Sequence, residues 1–378
     1  MKEPAEAGAA RRQFLTTTYF PALDGLRAIA IAAVVWHHSL PRAVPGWLGR
    51  GHVGVPLFFA LSGFLITTLL LSERRATDSI NLGHFWIRRC LRIFPLYYAV
   101  LLLFALSLAW REPSDARRHF FENLPFYASY TSNWFVDYGV THPIWFGFAW
   151  SLSTEEQFYV WWPPLVRTFQ RWGSWATAGV LVALIGLDQL AERGLLDGTL
   201  SSAATRILTS FSAALALGAL LAVLTANERS FPWLWRCLGG RASAAGCLLV
   251  AGALIWQPIG PSITIDLALA ASVAACAFSP GDWLRRGLGA RPLVQVGRVS
   301  YGMYLFHVPV IGLLRRSMPW LSEWPTLLFP ASFLASFALA SLSYRHLESP
   351  ILALRERFRP TRQATAPLTS GERARAEV

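Results

Sequence analysis

The chain has 378 residues, of which 54% are hydrophobic and 15% charged, and its mean hydropathy is +0.38. That balance excludes a string of water-soluble domains and points to a membrane protein, and 17 tryptophans agree with it because indole rings favour the headgroup level. The net charge of +12 would suit a nucleic-acid binder, but the basic residues fall in short loops between apolar segments, so no nucleic-acid partner is expected.

Residues 1–18 are expected to form a cytoplasmic N-terminal segment. The first apolar run, Leu23 to Leu40, reads LDGLRAIAIAAVVWHHSL. It lacks a small-residue cleavage site and is interrupted by Arg27, so a retained span is expected rather than a signal peptide. Arg27 and His38 lie eleven residues apart. On an α-helix this is three turns plus about 20°, with a rise of about 16 Å, so both side chains share one face at opposite depths. Ionisable groups within a span are costly and are functional candidates by default.

Ten apolar windows follow one another near 23–40, 53–72, 93–110, 149–169, 175–192, 203–226, 242–258, 262–279, 300–316 and 325–345. The predicted fold is therefore all-α: a polytopic integral membrane protein of about ten transmembrane helices. The fourth window is the weakest because Glu155 and Glu156 sit in it. With ten spans both termini share one side. That side holds 24 Lys and Arg residues against nine on the other, Arg27 standing apart, which places the termini in the cytoplasm. The tail over 353–378 is polar, contains Pro360 and Pro367, and is expected to be disordered.

In this orientation Arg27 lies near the cytoplasmic face, and His38, Glu155 and Glu156 lie near the outer face. His38 and one glutamate are thus expected to meet as a base and its orienting carboxylate. His37, about 100° away on the helix, is expected to be structural. The third window opens with FWIRRCLRIFPLYY, in which Arg88 and Arg92 are at i, i+4 with Arg89 beside them. Arginine forks bind phosphates, so the cluster is a candidate cytosolic socket for a polyphosphate-bearing ligand. In the ninth window Ser300, Tyr304 and His307 share a face, with packing or pore lining the plainer reading for the last two. Ser62 and Gly63 in the second window mark a place where helices can approach closely. The four cysteines form no CxxC and no Cys/His cluster has zinc spacing, so neither a disulfide scaffold nor a metal site is expected.

Taken in order, LDGLRAIAI…WHH, GVPLFFALSGFLIT, RRCLRIFPLYY, WSLSTEEQFYVWWP, SYGMYLFHVP and YRHLESP resemble the acyltransferase 3 family over residues 19–352. The family consists of polytopic membrane acyltransferases of the bacterial inner membrane. The resemblance implies an acyl-CoA donor, foremost acetyl-CoA, bound from the cytosol. It implies as acceptor a hydroxyl of a saccharide, glycolipid or glycosylated small molecule. It carries over Arg27 and His38 as an Arg-x10-His pair, together with Arg88, Arg89, Arg92, Glu155, Glu156 and Glu348. Glu348 is expected to pair with a cytosolic arginine and to support structure. Many members have an acidic residue where this chain has Pro56. Some members append an extracytoplasmic hydrolase-like domain, for which the stretch after the last window is too short.

The expected chemistry is general-base catalysis by His38 on an acceptor hydroxyl, aided by Glu155 or Glu156, with Arg27, Arg88, Arg89 and Arg92 holding the CoA phosphates. No reactive cysteine or GxSxG elbow is present, which favours direct transfer, with an acyl-His intermediate as the alternative, and the H-x4-D pattern of glycerolipid acyltransferases is absent after every histidine. A transporter or flippase for a glycolipid or small molecule would also place ionisable residues in spans and is the main rival. A membrane scaffold without chemistry is a third reading.

Overall fold

A computed structural model describes residues 2–40, 46–141, 144–169, 172–195, 206–207, 210–257, 262–278 and 282–358. The described residues are predominantly helical and contain no strand. The long helices, numbered in chain order, are α1 (Lys2–Thr16), α2 (Pro21–Ser39), α3 (Gly54–Thr77), α4 (Leu82–Ala109), α5 (Ala149–Phe169), α6 (Ser174–Glu192), α7 (Ala213–Ala226), α8 (Ser243–Trp256), α9 (Ser262–Phe278), α10 (Ser300–Ser317) and α11 (Pro325–Ser343). Each of the ten expected windows overlaps one of α2 to α11; of the sixth, α7 covers 213–226, and 203–205 and 208–209 lie outside the described residues.

By length and apolarity, four continuous helical stretches can cross a membrane: Leu48–Thr77, Leu82–Ala109, Ser174–Glu192 and Pro325–Phe358. Two bent pairs bring the number to six: α1 with α2, kinked by 70°, and α7 with the short helix Phe231–Leu238, kinked by 115°. The remaining windows fall short for physical reasons. The helix α5 carries Glu155, Glu156 and Arg167, α10 carries His307, Arg315 and Arg316 within 18 residues, and α8 and α9 have only 14 and 17 residues. Apolar side chains such as Leu102, Leu103, Leu249 and Leu334 remain exposed on the outer flanks. An α-helix satisfies its own backbone polar groups, which makes such flanks compatible with lipid.

Local chemistry sets the helix ends. Pro21 opens α2 with its φ already fixed and its missing N–H not required there. Asn81 caps α4, its side chain accepting the His84 N–H at 3.0 Å. The helix α3 is central and packs most extensively on α7. At their crossing, a Cβ on Gly63 would collide with the Leu215 carbonyl, and one on Gly218 with the Ala60 carbonyl. Paired glycines thus allow two backbones to touch, as the small residues of the second window lead one to expect. Three apolar clusters meet around α2, α3 and α4. One joins α1, α3, α7 and α9. A second joins the C-terminal half of α2 with α4, α10 and α11. The third joins α3, α4, α5 and α7.

The foot of α4 is pinned by a buried ion pair. Arg88 Nη2 lies 2.8 Å from Glu73 Oε2 on α3, and Arg88 Nη1 donates to the Phe358 carbonyl at 2.5 Å. Glu73 also accepts the Asn81 N–H at 2.9 Å. Of the tail expected to be disordered from 353, residues 353–358 are helical and held by this contact, and 359–378 lie outside the described residues.

Two outcomes follow for detergent-solubilised protein, followed by thermal unfolding. Arg88→Met, which strands the Glu73 carboxylate in the interior, is expected to destabilise by about 3–5 kcal/mol, with most of the loss recovered in Glu73→Gln/Arg88→Met. Gly63→Leu is expected to lower the melting temperature strongly, because the α3–α7 backbones have no room to separate without losing their contact.

Candidate active site

Between α2, α3, α4, α5 and α10 lies a chamber of about 100 Å³. Its polar wall comes from Ser62, Ser151, Glu155, Glu156, Tyr159 and Tyr304. Ser151, Glu155 and Tyr159 recur every four residues along α5 and so form one stripe. Glu155 accepts the hydroxyls of Ser62 and Tyr159, and Ser151 Oγ lies 2.6 Å from the Tyr304 hydroxyl.

Next to the chamber is a larger cavity of about 480 Å³. The two share Arg27, Arg89, Arg92 and Tyr301 as lining. Along α3 the order is regular. Ser62 faces the chamber, whereas Leu65, Thr68, Leu69, Ser72 and Arg75 face the larger cavity. Six arginines line the larger cavity (27, 75, 89, 92, 298 and 355), against the carboxylates of Asp24 and Glu348. Arg27 pairs with Asp24 at 2.6 Å, and Asp24 also accepts the Tyr19 hydroxyl at 2.8 Å. Arg89 and Arg92 form no ion pair within 4.0 Å among the described residues. Arg89 packs against the Phe85 and Tyr159 rings at 5.7 and 5.6 Å, and its buried Nε has no partner. Guanidinium groups left without counter-ions around a concave wall make an anion cradle.

Of the four arginines expected there, Arg27, Arg89 and Arg92 come together. Arg88 does not, because Glu73 and the Phe358 carbonyl already use its donors. The i, i+4 pairing of Arg88 with Arg92 thus picked the wrong neighbour, and the cavity takes the Arg89 side of α4. Glu348 is buried and lines the same cavity. It accepts a hydrogen bond from Ser343 at 3.4 Å and stands within electrostatic range of Arg92, with no ion pair within 4.0 Å among the described residues.

The expected meeting of His38 with a glutamate is also not found. Glu155 and Glu156 line the chamber beside Arg27 and Arg89, while His38 does not line it. The helix α5 makes its polar contacts with α3 and α10 rather than with α2, so depth alone did not bring the two groups together. What lies beside His38 is His307 of α10, with ring centroids 4.8 Å apart. His307 is fully buried; its ring lies 5.4 Å from Tyr304 and its Nδ1 is 2.5 Å from the Tyr304 carbonyl. Its Nε2 has no partner among the described residues. His38 Nδ1 lies 3.0 Å from the Val34 carbonyl. A ring that donates from Nδ1 to a carbonyl keeps an unprotonated Nε2, the form a base requires. Ser151, Tyr304, His307 and His38 therefore form a continuous series from the chamber to the end of α2. Ser151 was missed from the sequence, and the four-residue recurrence with Glu155 and Tyr159 was the signal that could have found it. His37, as expected, is tied up structurally, its Nδ1 lying 3.0 Å from the Gly49 carbonyl. No group of three or more His, Cys, Asp or Glu among the described residues could hold a metal ion.

Comparison with known proteins gives the arrangement its context. The chain is 31% identical over 365 residues to the peptidoglycan O-acetyltransferase OatA of Listeria monocytogenes, covering 88% of this chain and 56% of that protein. It is 30% identical to YrhL of Bacillus subtilis, provisionally named for the same activity, over 88% of this chain and 55% of YrhL. A Staphylococcus aureus protein provisionally named an O-acetyltransferase is 29% identical, with 88% of this chain and 57% of that protein covered. The chain thus spans little more than half the length of these relatives. No solved structure matches. Residues 20–345 match the acyltransferase domain that defines the acyltransferase 3 family, and the chain belongs to that family.

Proposed function

We propose that the protein is a multi-pass enzyme of a bacterial inner membrane that moves an acetyl group from cytosolic acetyl-CoA to a hydroxyl of a cell-envelope saccharide. The observation that carries this reading is an arginine-lined cavity directly beside a chamber walled by hydroxyls and carboxylates, with Arg27, Arg89, Arg92 and Tyr301 lining both. Ten crossings with both termini cytoplasmic suit the Lys and Arg bias and put the arginines at the cytosolic mouth. The names of the relatives, peptidoglycan O-acetyltransferase among them, support a saccharide acceptor.

CoA carries its charge on phosphates and its thioester at the end of a long neutral arm. Arg27, Arg89 and Arg92 hold the phosphates, and the arm enters the chamber. His38 takes the proton of the acceptor hydroxyl once that hydroxyl, or a bridging donor, reaches past Tyr304 to the His307–His38 ring pair, because His38 itself does not line the chamber. The alkoxide oxygen attacks the thioester carbon, the C–S bond breaks, and the proton returns to the departing thiolate. Arg89 and Arg92, which also line the chamber, stand where they can meet charge gained by the thioester oxygen. Glu155 holds the Ser62 and Tyr159 hydroxyls, and Glu156 offsets Arg89. Arg88 has a structural role.

Protein reconstituted in nanodiscs with acetyl-CoA and an oligosaccharide acceptor tests this, with ester formation read by mass spectrometry. His38→Ala is expected to lower turnover by about 10²–10⁴-fold without lowering affinity for acetyl-CoA. Arg89→Gln and Arg92→Gln are each expected to raise the KM for acetyl-CoA by about tenfold or more while preserving most of kcat. Wild-type turnover by His38→Ala would remove the base assignment. Acceptor translocation without any ester would favour a transporter.

A further inference from the structure

A third cavity, of about 400 Å³, lies beside the chamber and shares Phe59 with it as lining. On α3, Pro56 and Phe59 face this cavity, Val55, Phe58 and Ser62 of the same turns face the chamber, and Leu65, Ser72 and Arg75 face the arginine cavity. From Pro56 to Arg75 the helix climbs about 28 Å, so the third cavity and the far wall of the arginine cavity lie toward opposite ends of α3. On α5, Trp150 and Thr154 face the cavity while the adjacent Ser151 and Glu155 face the chamber.

Its chemistry is the reverse of the arginine cavity. Asp188, Glu192 and Asp266 line it, with Arg206 as the one cationic side chain among the described residues that do. Arg206 donates to the Trp134 carbonyl at 3.4 Å. Glu192 accepts from Ser262 at 2.7 Å and from Gln189 at 3.0 Å, and Asp188 accepts from Gln189 at 3.4 Å. Asp266 differs: it is 9% exposed and receives no hydrogen bond from the described residues, while Asp188 and Glu192 stand within electrostatic range of it. A buried carboxylate with like charges beside it and no donor is unfavourable unless something else supplies the donor. Carboxylates only accept, so the missing partner is a donor of O–H or N–H groups. Trp150, 41% exposed, adds a flat apolar face to the same cavity. A ring with several hydroxyls on its edges and C–H groups on its faces meets both demands.

We propose that this cavity is the acceptor subsite and that it takes a neutral or amine-bearing sugar in preference to a carboxylate-bearing one. Asp266 receives sugar hydroxyl or amine donors, Trp150 stacks on the ring, and the acceptor hydroxyl reaches the chamber past Phe59. This assignment rests on the acyl-transfer reading for its purpose but not for its detection, because glycan binding is measurable without turnover.

The test uses the full chain in nanodiscs and three tetrasaccharide probes: tetra-N-acetylchitotetraose (neutral), chitosan tetramer (cationic) and tetragalacturonate (anionic). Binding is followed by saturation-transfer NMR and calorimetry, with acetyl-CoA binding measured in parallel. The neutral and cationic probes are expected to bind and the anionic probe to bind at least tenfold more weakly. Asp266→Asn is expected to weaken the cationic probe by about tenfold or more, and Trp150→Ala to weaken both binding probes, with acetyl-CoA binding unchanged in each. Trp150→Ala keeps the test decisive if Asp266→Asn does not fold. Equal or tighter binding of tetragalacturonate, or unaltered glycan binding by both variants, would overturn the subsite. Glycan binding that follows this pattern without any ester formation would uphold the subsite and overturn the acyl-transfer reading instead.

Discussion

The structure depends on one electrostatic constraint: guanidinium groups placed inside an apolar bundle in excess of the carboxylates around them. Charge removed from water is costly unless paired, and a fold tolerates it where a ligand or a solvated cavity completes the pairing. Arg88 illustrates the paired case, closed by Glu73 and a backbone carbonyl, and it lies away from the cavities. Arg89, the next residue, illustrates the open case, resting on aromatic rings with a donor unused. Two neighbouring arginines thus divide into scaffold and candidate site solely by whether an acid reaches them.

That division sets how far the sequence could be read. Hydrophobic runs located every long helix from α2 to α11, because apolar patterning is a local property. The shared face of Arg27 with the α4 arginines could be anticipated, since both lie near one end of their helices. Partner choice could not. Arg88 and Arg92 are as near on a helical wheel as a functional pair should be, but only tertiary packing brings Glu73 to one of them. His38 and the glutamates failed for the same reason: similar depth says nothing about which helices stand between. The α5 stripe of Ser151, Glu155 and Tyr159 was legible in principle, because its spacing is purely helical.

Placement of α10 explains the role of the motif that seemed most expendable. Tyr304 and His307 looked like packing residues from sequence, and they are indeed buried. Their position between the Ser151 hydroxyl and the His38 ring nevertheless makes them the physical link between α5 and α2. Under the proposed mechanism, burial and function coincide, because a proton path through an apolar bundle must be fixed in place by packing.

The glycine-to-backbone crossing of α3 and α7 has a mechanical meaning. Each glycine is seated on the opposite carbonyl, so the two backbones are in contact, and any larger side chain at either position would have to part them. Because α3 lends side chains to all three cavities, such a parting would be felt in every one of them at once.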